Sequence, residues 1–261
     1  MENITSRNNH LIKIALQLKQ KKYRDRYDAF LLEGFRSAED ACGQRIGDCT
    51  CFISEDVQDN PRLNKIMDAA KPLRWHFFSV TPGIMNLLSG TEHGQGILVI
   101  SHKKKYDRND LLKPLKGHYV VLDSVQDPGN MGTILRTAAA AGVHAVILTE
   151  GCTDVYAEKV VRSSMGSILR IPIYEHVDIE FLKKFRNLCG IPFFGTALHQ
   201  SVPYKEVGAV PDGVFVFGNE GNGIRPEILG MTDKNLYIPL QGNVESLNVS
   251  IAAAVILFHF S

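Results

Sequence analysis

Val214-Phe215-Val216-Phe217 runs directly into Gly218-Asn219-Glu220-Gly221-Asn222-Gly223. With Gly213 before them, these four apolar residues read as a buried strand over 213–217. Three glycines in the next six allow positive φ and a close approach of backbone to a ligand. Working outward, further apolar strands are expected at 119–123, 145–148, 171–174, 192–196 and 236–238. Helical stretches fall between them near 131–141, 155–168, 179–188 and 225–229, with a last one at 247–259. Apolar strands alternating with helices imply a parallel sheet covered on both faces. In such sheets ligands bind beyond the carboxyl ends of the strands, so the loops after strands are where chemistry is to be sought.

The first hundred residues read as a smaller α/β unit. Leu11, Ile14, Ala15 and Leu18 recur at helical spacing with lysines on the other face. Strands are expected at 29–32, 51–54, 75–80 and 96–100, separated by helices near 36–43, 62–70 and 82–89. Residues 101–117 are polar, lysine-rich and contain Pro114, the composition of a linker. The expected organisation is therefore a domain over 1–100, a linker over 101–117 and a second domain over 118–261.

Charge separates the two parts. Residues 1–116 hold 19 basic and 14 acidic side chains, and residues 117–261 hold 10 and 14, a split of +5 against −4. The basic excess gathers in Lys13, Lys19, Lys21, Lys22, Arg24 and Arg26, and again in Lys103, Lys104, Lys105 and Arg108. Such clusters attract polyanions by counterion release, although a solvated helix face would carry the same residues. The five cysteines form no CxxC pair and the nine histidines no HExxH, so reduced thiols and no metal site are expected. The longest apolar run, Val249 to Phe258, is about half of the ~20 residues that cross a bilayer. With no apolar secretion signal at the N-terminus, a soluble, cytoplasmic protein with no membrane partner is expected.

Three loops carry the polar residues. Asp127-Pro128-Gly129-Asn130-Met131-Gly132 precedes a helix that Asn130 is expected to cap, and whose free N–H groups suit an anion. In that helix Arg136 is the one charge, either functional or simply exposed. The glycine loop 218–223 is neither GxGxxG nor GxxxxGK[ST], and Glu220 would repel a phosphate, which argues against a triphosphate cradle. The third loop follows Ile238-Pro239-Leu240 and leads into Ser246-Leu247-Asn248-Val249-Ser250, with Ser246 as the expected helix cap.

Taken together, Asn130-Met131-Gly132-Thr133-Ile134-Leu135-Arg136-Thr137-Ala138, Phe217-Gly218-Asn219-Glu220-Gly221-Asn222-Gly223-Ile224 and Ile238-Pro239-Leu240…Ser246-Leu247-Asn248-Val249-Ser250 resemble the three signature motifs of the SpoU (TrmH-like) RNA ribose 2′-O-methyltransferases of the SPOUT superfamily. They stand in family order over essentially all of 117–261. Val161-Arg162-Ser163-Ser164-Met165-Gly166-Ser167 resembles a further family segment. More loosely, Ser6 to Lys13 and Phe30-Leu31-Leu32-Glu33-Gly34 resemble the L30e-like substrate-binding domain that some members carry.

The resemblance implies a C-terminal α/β domain with a deep trefoil knot, which ordinary topology rules would not suggest. It implies S-adenosylmethionine bound in the knot, by Gly218, Asn219, Gly223, Ile238, Leu240 and Leu247, with Thr196, Ala197 and Leu198 forming part of the floor. The glycines are expected to leave room for the cofactor. Arg136 is implied as the catalytic residue, with Asn130 and Glu220 orienting it or the ribose, and Ser246 and Asn248 holding the loop and contacting substrate. Because guanidinium groups rarely release a proton, an electrostatic role suits Arg136 better than that of a base. The family further implies a homodimer with the active site at the subunit interface. Its RNA is ribosomal (most simply 23S), with transfer RNA, or a catalytically silent RNA-binding protein, as alternatives. Arg7, Lys13, Lys19 and Arg24 are the expected RNA contacts.

Overall fold

The computed structural model describes residues 1–91, 94–198, 200–242 and 246–261. The chain forms two compact units, one of residues 1–104 with 154–169, the other of 105–153 with 170–261.

In the first unit the chain runs β1 (Glu2–Ile4), α1 (His10–Gln17), α2 (Lys21–Tyr27), β2 (Ala29–Glu33), α3 (Phe35–Gly43), β3 (Thr50–Ser54), α4 (Pro61–Ala70), β4 (His76–Val80), α5 (Pro82–Leu88) and β5 (Ile97–His102). The sheet order is β1-β4-β3-β5-β2. β5 is antiparallel to both β3 and β2, while β1, β4 and β3 are parallel. Local chemistry sets the helix ends. The Asn9 side chain accepts the Leu11 N–H at 2.8 Å, and Thr81 caps α5. Asp28 ends α2 in the left-handed region. Ile12, Ala15 and Leu18 bury the apolar face of α1 against Leu31, Phe52, Leu98 and their neighbours. Sequence periodicity had pointed to neither β1, only three residues long, nor α2, whose charged residues hide its helical repeat.

The second unit contains β6 (His118–Leu122), α6 (Pro128–Ala140) and β7 (Ala145–Thr149). The chain then contributes α7 (Glu158–Ser163) to the first unit, where it packs on β2. One long helix was expected here; instead α7 stops where Met165 and Gly166 take positive φ, and a 3₁₀ turn follows at Ser167–Leu169. A Cβ at residue 166 would lie 2.3 Å from an Asp40 carboxylate oxygen, so the turn is built for glycine.

Back in the second unit come β8 (Ile173–Val177), α8 (Ile179–Leu188), β9 (Phe193–Thr196), β10 (Ser201–Pro203), β11 (Gly213–Phe217), α9 (Pro226–Leu229), β12 (Lys234–Tyr237) and α10 (Val249–Phe260). The seven strands are all parallel, in the order β10-β12-β9-β11-β6-β7-β8. From β6 the chain builds outward through β7 and β8, then returns to build the other half. β6 and β11 therefore flank the switch point, where the loops beyond their carboxyl ends open a crevice. The unforeseen strand β10 is short and ends in proline, as suits an edge. Helix α10 is apolar all round and packs on α6 and β11. Phe260 stacks 5.2 Å from Phe215, itself 5.4 Å from Phe194.

Candidate active site

At the switch point the chain ends of β6 and β11 are tied together. Asp123, fully buried, follows β6. Its carboxylate accepts from the Arg225 N–H at 2.7 Å, Arg225 Nε at 2.8 Å and Thr149 Oγ1 at 3.0 Å. The next carbonyl, of Ser124, accepts from Asn219 Nδ2 at 2.9 Å. Both ends of the glycine loop are thus pinned to the end of one central strand. Sequence reading passed over Asp123 and Arg225; the available signal was an acidic residue closing an otherwise apolar strand.

Within the loop, Asn219 and Gly223 exchange backbone hydrogen bonds at 2.9 and 3.0 Å. The Asn219 side chain accepts from the N–H groups of Gly221 and Asn222. A Cβ on Gly218 would lie 2.2 Å from the Gly223 carbonyl carbon. Glycine at 218 is therefore required by closure of its own loop, and the expectation that it makes room for a ligand is corrected on that point. Gly223 has φ +70 and open space around it.

Glu220 points back across the crevice. It accepts from Asn130 Nδ2 at 2.9 Å and, over longer distances, from the N–H groups of Asp127 and Gln126. Partial burial pushes its carboxyl up, but the hydrogen bonds from Asn130 and from the backbone N–H groups of Glu220, Asp127 and Gln126 outweigh it. The carboxyl is held below its ordinary value. Asn130 in turn accepts from Asn248 Nδ2 at 2.9 Å. A chain Glu220–Asn130–Asn248 thereby links one residue from each of the three loops.

Two caps differ from expectation. Asp127, not Asn130, caps α6, accepting the Asn130 N–H at 2.8 Å. Asn248, not Ser246, caps α10, accepting from the Ser250 N–H at 2.9 Å and the Ser250 hydroxyl at 2.6 Å. In both, the residue nearer the helix start wins, which frees the Asn130 amide to span the crevice.

The glycine loop, the third loop and the end of β9 line a cavity of about 570 Å³, within the range usual for small-molecule sites. Asn130 of the first loop is outside the lining and meets the cavity through Glu220 and Asn248. Thr196, Ala197, Leu198, Gly218, Asn219, Gly223, Ile238, Leu240 and Leu247 all line it, as do Glu220, Ser246 and Asn248. Ile256 and Ala252 of α10 and Ile224 add apolar wall that the sequence had not suggested. Leu198 at 67% and Leu247 at 36% leave large apolar side chains open at its mouth. Apolar walls, loop backbone and one carboxylate fit a molecule joining flat, apolar and cationic parts, as S-adenosylmethionine does. Arg136 is not in the lining. It is exposed on α6, with no hydrogen-bond or ion-pair partner among the described residues.

The expected RNA contacts divide. Arg7 and Lys13 are exposed. The Lys19 ammonium instead donates to the Leu87 and Ser89 carbonyls at 3.1 and 3.0 Å. Arg24 is corrected outright: it is 4% exposed, paired with Asp154 at 2.5 Å, and donates to the Leu18 carbonyl. Among the described residues no cluster of His, Cys, Asp or Glu could hold a metal, and no helix is long and apolar enough to cross a membrane. Burial raises the thiols of Cys42 and Cys152 to about 11 and Cys49 to about 12, leaving them neutral.

Comparison with known proteins agrees with this geometry. The SpoU rRNA Methylase family model matches residues 117–258, and a model for an MRM3-like substrate binding domain matches 9–99. The chain belongs to the SpoU methylase family. It is 32% identical to the 23S rRNA (guanosine(2553)-2′-O)-methyltransferase RlmP of Bacillus subtilis (strain 168), over 99% of each chain. It is 31% identical to the 23S rRNA (guanosine-2′-O-)-methyltransferase RlmB of Coxiella burnetii, over 84% of this chain and 88% of the relative. An AdoMet-bound rRNA methyltransferase from Sinorhizobium meliloti superposes with a TM-score of 0.87 at 29% identity, covering 98% of this chain and 96% of that one. The second unit is a seven-stranded parallel α/β fold whose structural neighbours are SPOUT methyltransferases, preceded by a small α/β domain with its own sheet.

Proposed function

We propose that the protein transfers a methyl group from S-adenosylmethionine to a ribose 2′-hydroxyl of ribosomal RNA, acting as a cytoplasmic homodimer. The observation that carries this reading is one cavity with an open apolar mouth, lined by the glycine loop and by Ile238, Leu240 and Ser246 to Val249. Asn130 of the first loop is tied to it through its bonds to Glu220 and Asn248. The cofactor, when bound, supplies an electrophilic methyl on a sulfonium. Thr196 to Leu198, Gly218 to Gly223, Ile238, Leu240 and Leu247 would hold it, chiefly through backbone and apolar contact.

The remaining work falls to this chain's polar groups. The Glu220–Asn130–Asn248 chain fixes the three loops relative to one another, so alignment is set before substrate arrives. Arg136 keeps its charge and grips the phosphate beside the target ribose, stabilising negative charge as it develops on the 2′-oxygen. Its place outside the cavity supports a two-chain site. Thr133, Arg136 and Ala140 make an exposed stripe on α6, and on α10 Ile251 and Phe258 stand 50% and 55% exposed. A second copy covering these faces would bring Arg136 to the partner subunit's cavity. Residues 1–100 serve as the RNA-binding domain in this reading, 101–117 as a linker and 118–261 as the catalytic domain.

Titration calorimetry with S-adenosylmethionine is expected to show saturable binding. Mapping of 2′-O-methyl groups in cells with and without the gene should then lose a mark in 23S ribosomal RNA. A lost mark in transfer RNA would reassign the substrate, and absence of donor binding would remove the proposal.

A further inference from the structure

Helix α2 arranges its side chains in an order the sequence alone does not display. At about 100° per residue, the helix circumference runs Lys21, Asp25, Lys22, Arg26, Tyr23, Tyr27, with Arg24 on the far side. Arg24 is consumed by the buried pair with Asp154. The Asp25 carboxylate is met by Lys21 at 3.2 Å and Lys103 at 2.8 Å, so its charge is already answered. What remains is a continuous patch of two cations beside two aromatic rings. Lys22 and Arg26 are exposed and have no carboxylate partner among the described residues.

The rings are ordered. Tyr23 and Tyr27 lie 6.3 Å apart between centroids and within 16° of parallel. Lys22 Nζ sits 4.7 Å from the Tyr23 centroid, and the Arg26 guanidinium 5.7 Å from that of Tyr27. The Tyr27 hydroxyl donates to Gln17 Oε1 at 2.9 Å, which anchors the patch to the end of α1. On α1, Lys13 is exposed one turn before Gln17. Parallel rings with cations alongside are what a strand of nucleic acid needs when its bases are unpaired: phosphates meet the cations and a base lies on a ring.

We propose that this α2 surface binds an unpaired stretch of the RNA substrate, with Lys22 and Arg26 on its phosphates and a base stacked on Tyr23. The inference rests on the reading of the protein as an RNA methyltransferase and names the chemistry its first unit recognises. Duplex RNA would use the cations and leave the ring idle, so the two kinds of RNA contact separate by experiment.

The test uses the full-length protein and 23S ribosomal RNA from cells lacking the gene, with binding followed by filter retention across a salt series. Lys22→Glu with Arg26→Glu is expected to weaken binding at least tenfold. It should also flatten the slope of log affinity against log salt by about 1.4, the loss of two contacts to single-stranded phosphate. Tyr23→Ala is expected to weaken binding by roughly tenfold with the salt slope kept, and Tyr23→Phe to restore it. All variants should titrate S-adenosylmethionine as wild type does, a readout that also reports folding. Charge variants that bind normally would overturn the proposal. So would a charge effect without a Tyr23→Ala effect, which would assign the patch to duplex backbone. If wild-type protein takes up the donor but ignores the RNA, the reading of the substrate falls together with the patch.

Discussion

The motif loops of the second unit and the α1–α2 surface of the first treat charge in opposite ways. In the loops, Glu220, Asn130 and Asn248 satisfy one another, and Asp123 is satisfied by Arg225 and Thr149, while among the described residues Arg136 is left without a partner. On α1 and α2 the cation whose sequence position looked equal to the rest, Arg24, is the buried one, and its neighbours Lys22 and Arg26 remain available. The lesson is that a basic residue in a cluster is interpretable only after its partners are known. An arginine beside lysines can be a strut, and an arginine alone on a helix can be the working group.

The largest expected effect is on the strut. Arg24→Ala leaves the buried Asp154 carboxylate unpaired and should cost about 3–5 kcal/mol of stability, measured by urea unfolding. The salt slope of RNA binding should stay unchanged, and a changed slope would return Arg24 to the binding surface. Next is Arg136→Ala, expected to lower turnover roughly 100- to 1,000-fold while donor affinity by calorimetry remains near wild type. Retained turnover would break the contrast from the other side. A smaller effect is expected for Asn248→Ala, which removes the α10 cap and the bond to Asn130. About 1 kcal/mol of stability should be lost, and turnover should fall more than donor affinity.

The smallest effect is a pH dependence. The depressed Glu220 carboxyl contributes its ties fully above the ordinary carboxylate value, and loses them as pH falls through its lowered value. Donor affinity should therefore be flat from neutrality down to about pH 5 and weaken only in stronger acid. Glu220→Gln should abolish that acid limb. A decline already between pH 8 and 6, seen in the same calorimetric titration, would assign the dependence to another group.

Much of the second unit was legible because apolar strands and glycine or proline turns are strong local signals, and β11 falls at 213–217 as expected. The cavity-lining residues were legible through the second and third motifs, while the first is joined to them by the bonds of Asn130 to Glu220 and Asn248. What escaped was non-local or compressed. Asp123 and Arg225 stand about a hundred positions apart, and only the strand order joins them. Asp127 and Asn248 took the caps because helix starts depend on backbone torsions that composition does not specify. Arg24 was misread since Asp154, its partner, lies in a segment that sequence order places with the other unit.

That excursion of residues 154–169 bears on anyone who wants to cut the gene into halves. A fragment ending at residue 104 would lack Asp154, Tyr156 and the whole of α7, exposing the β2 face and an arginine with nothing opposite. A fragment starting there would carry Val160, Val161 and Leu169 as a sticky orphan loop. Soluble pieces should come only from splicing: the early stretch fused to 154–169 through a designed tether, and the later stretch closed over the gap.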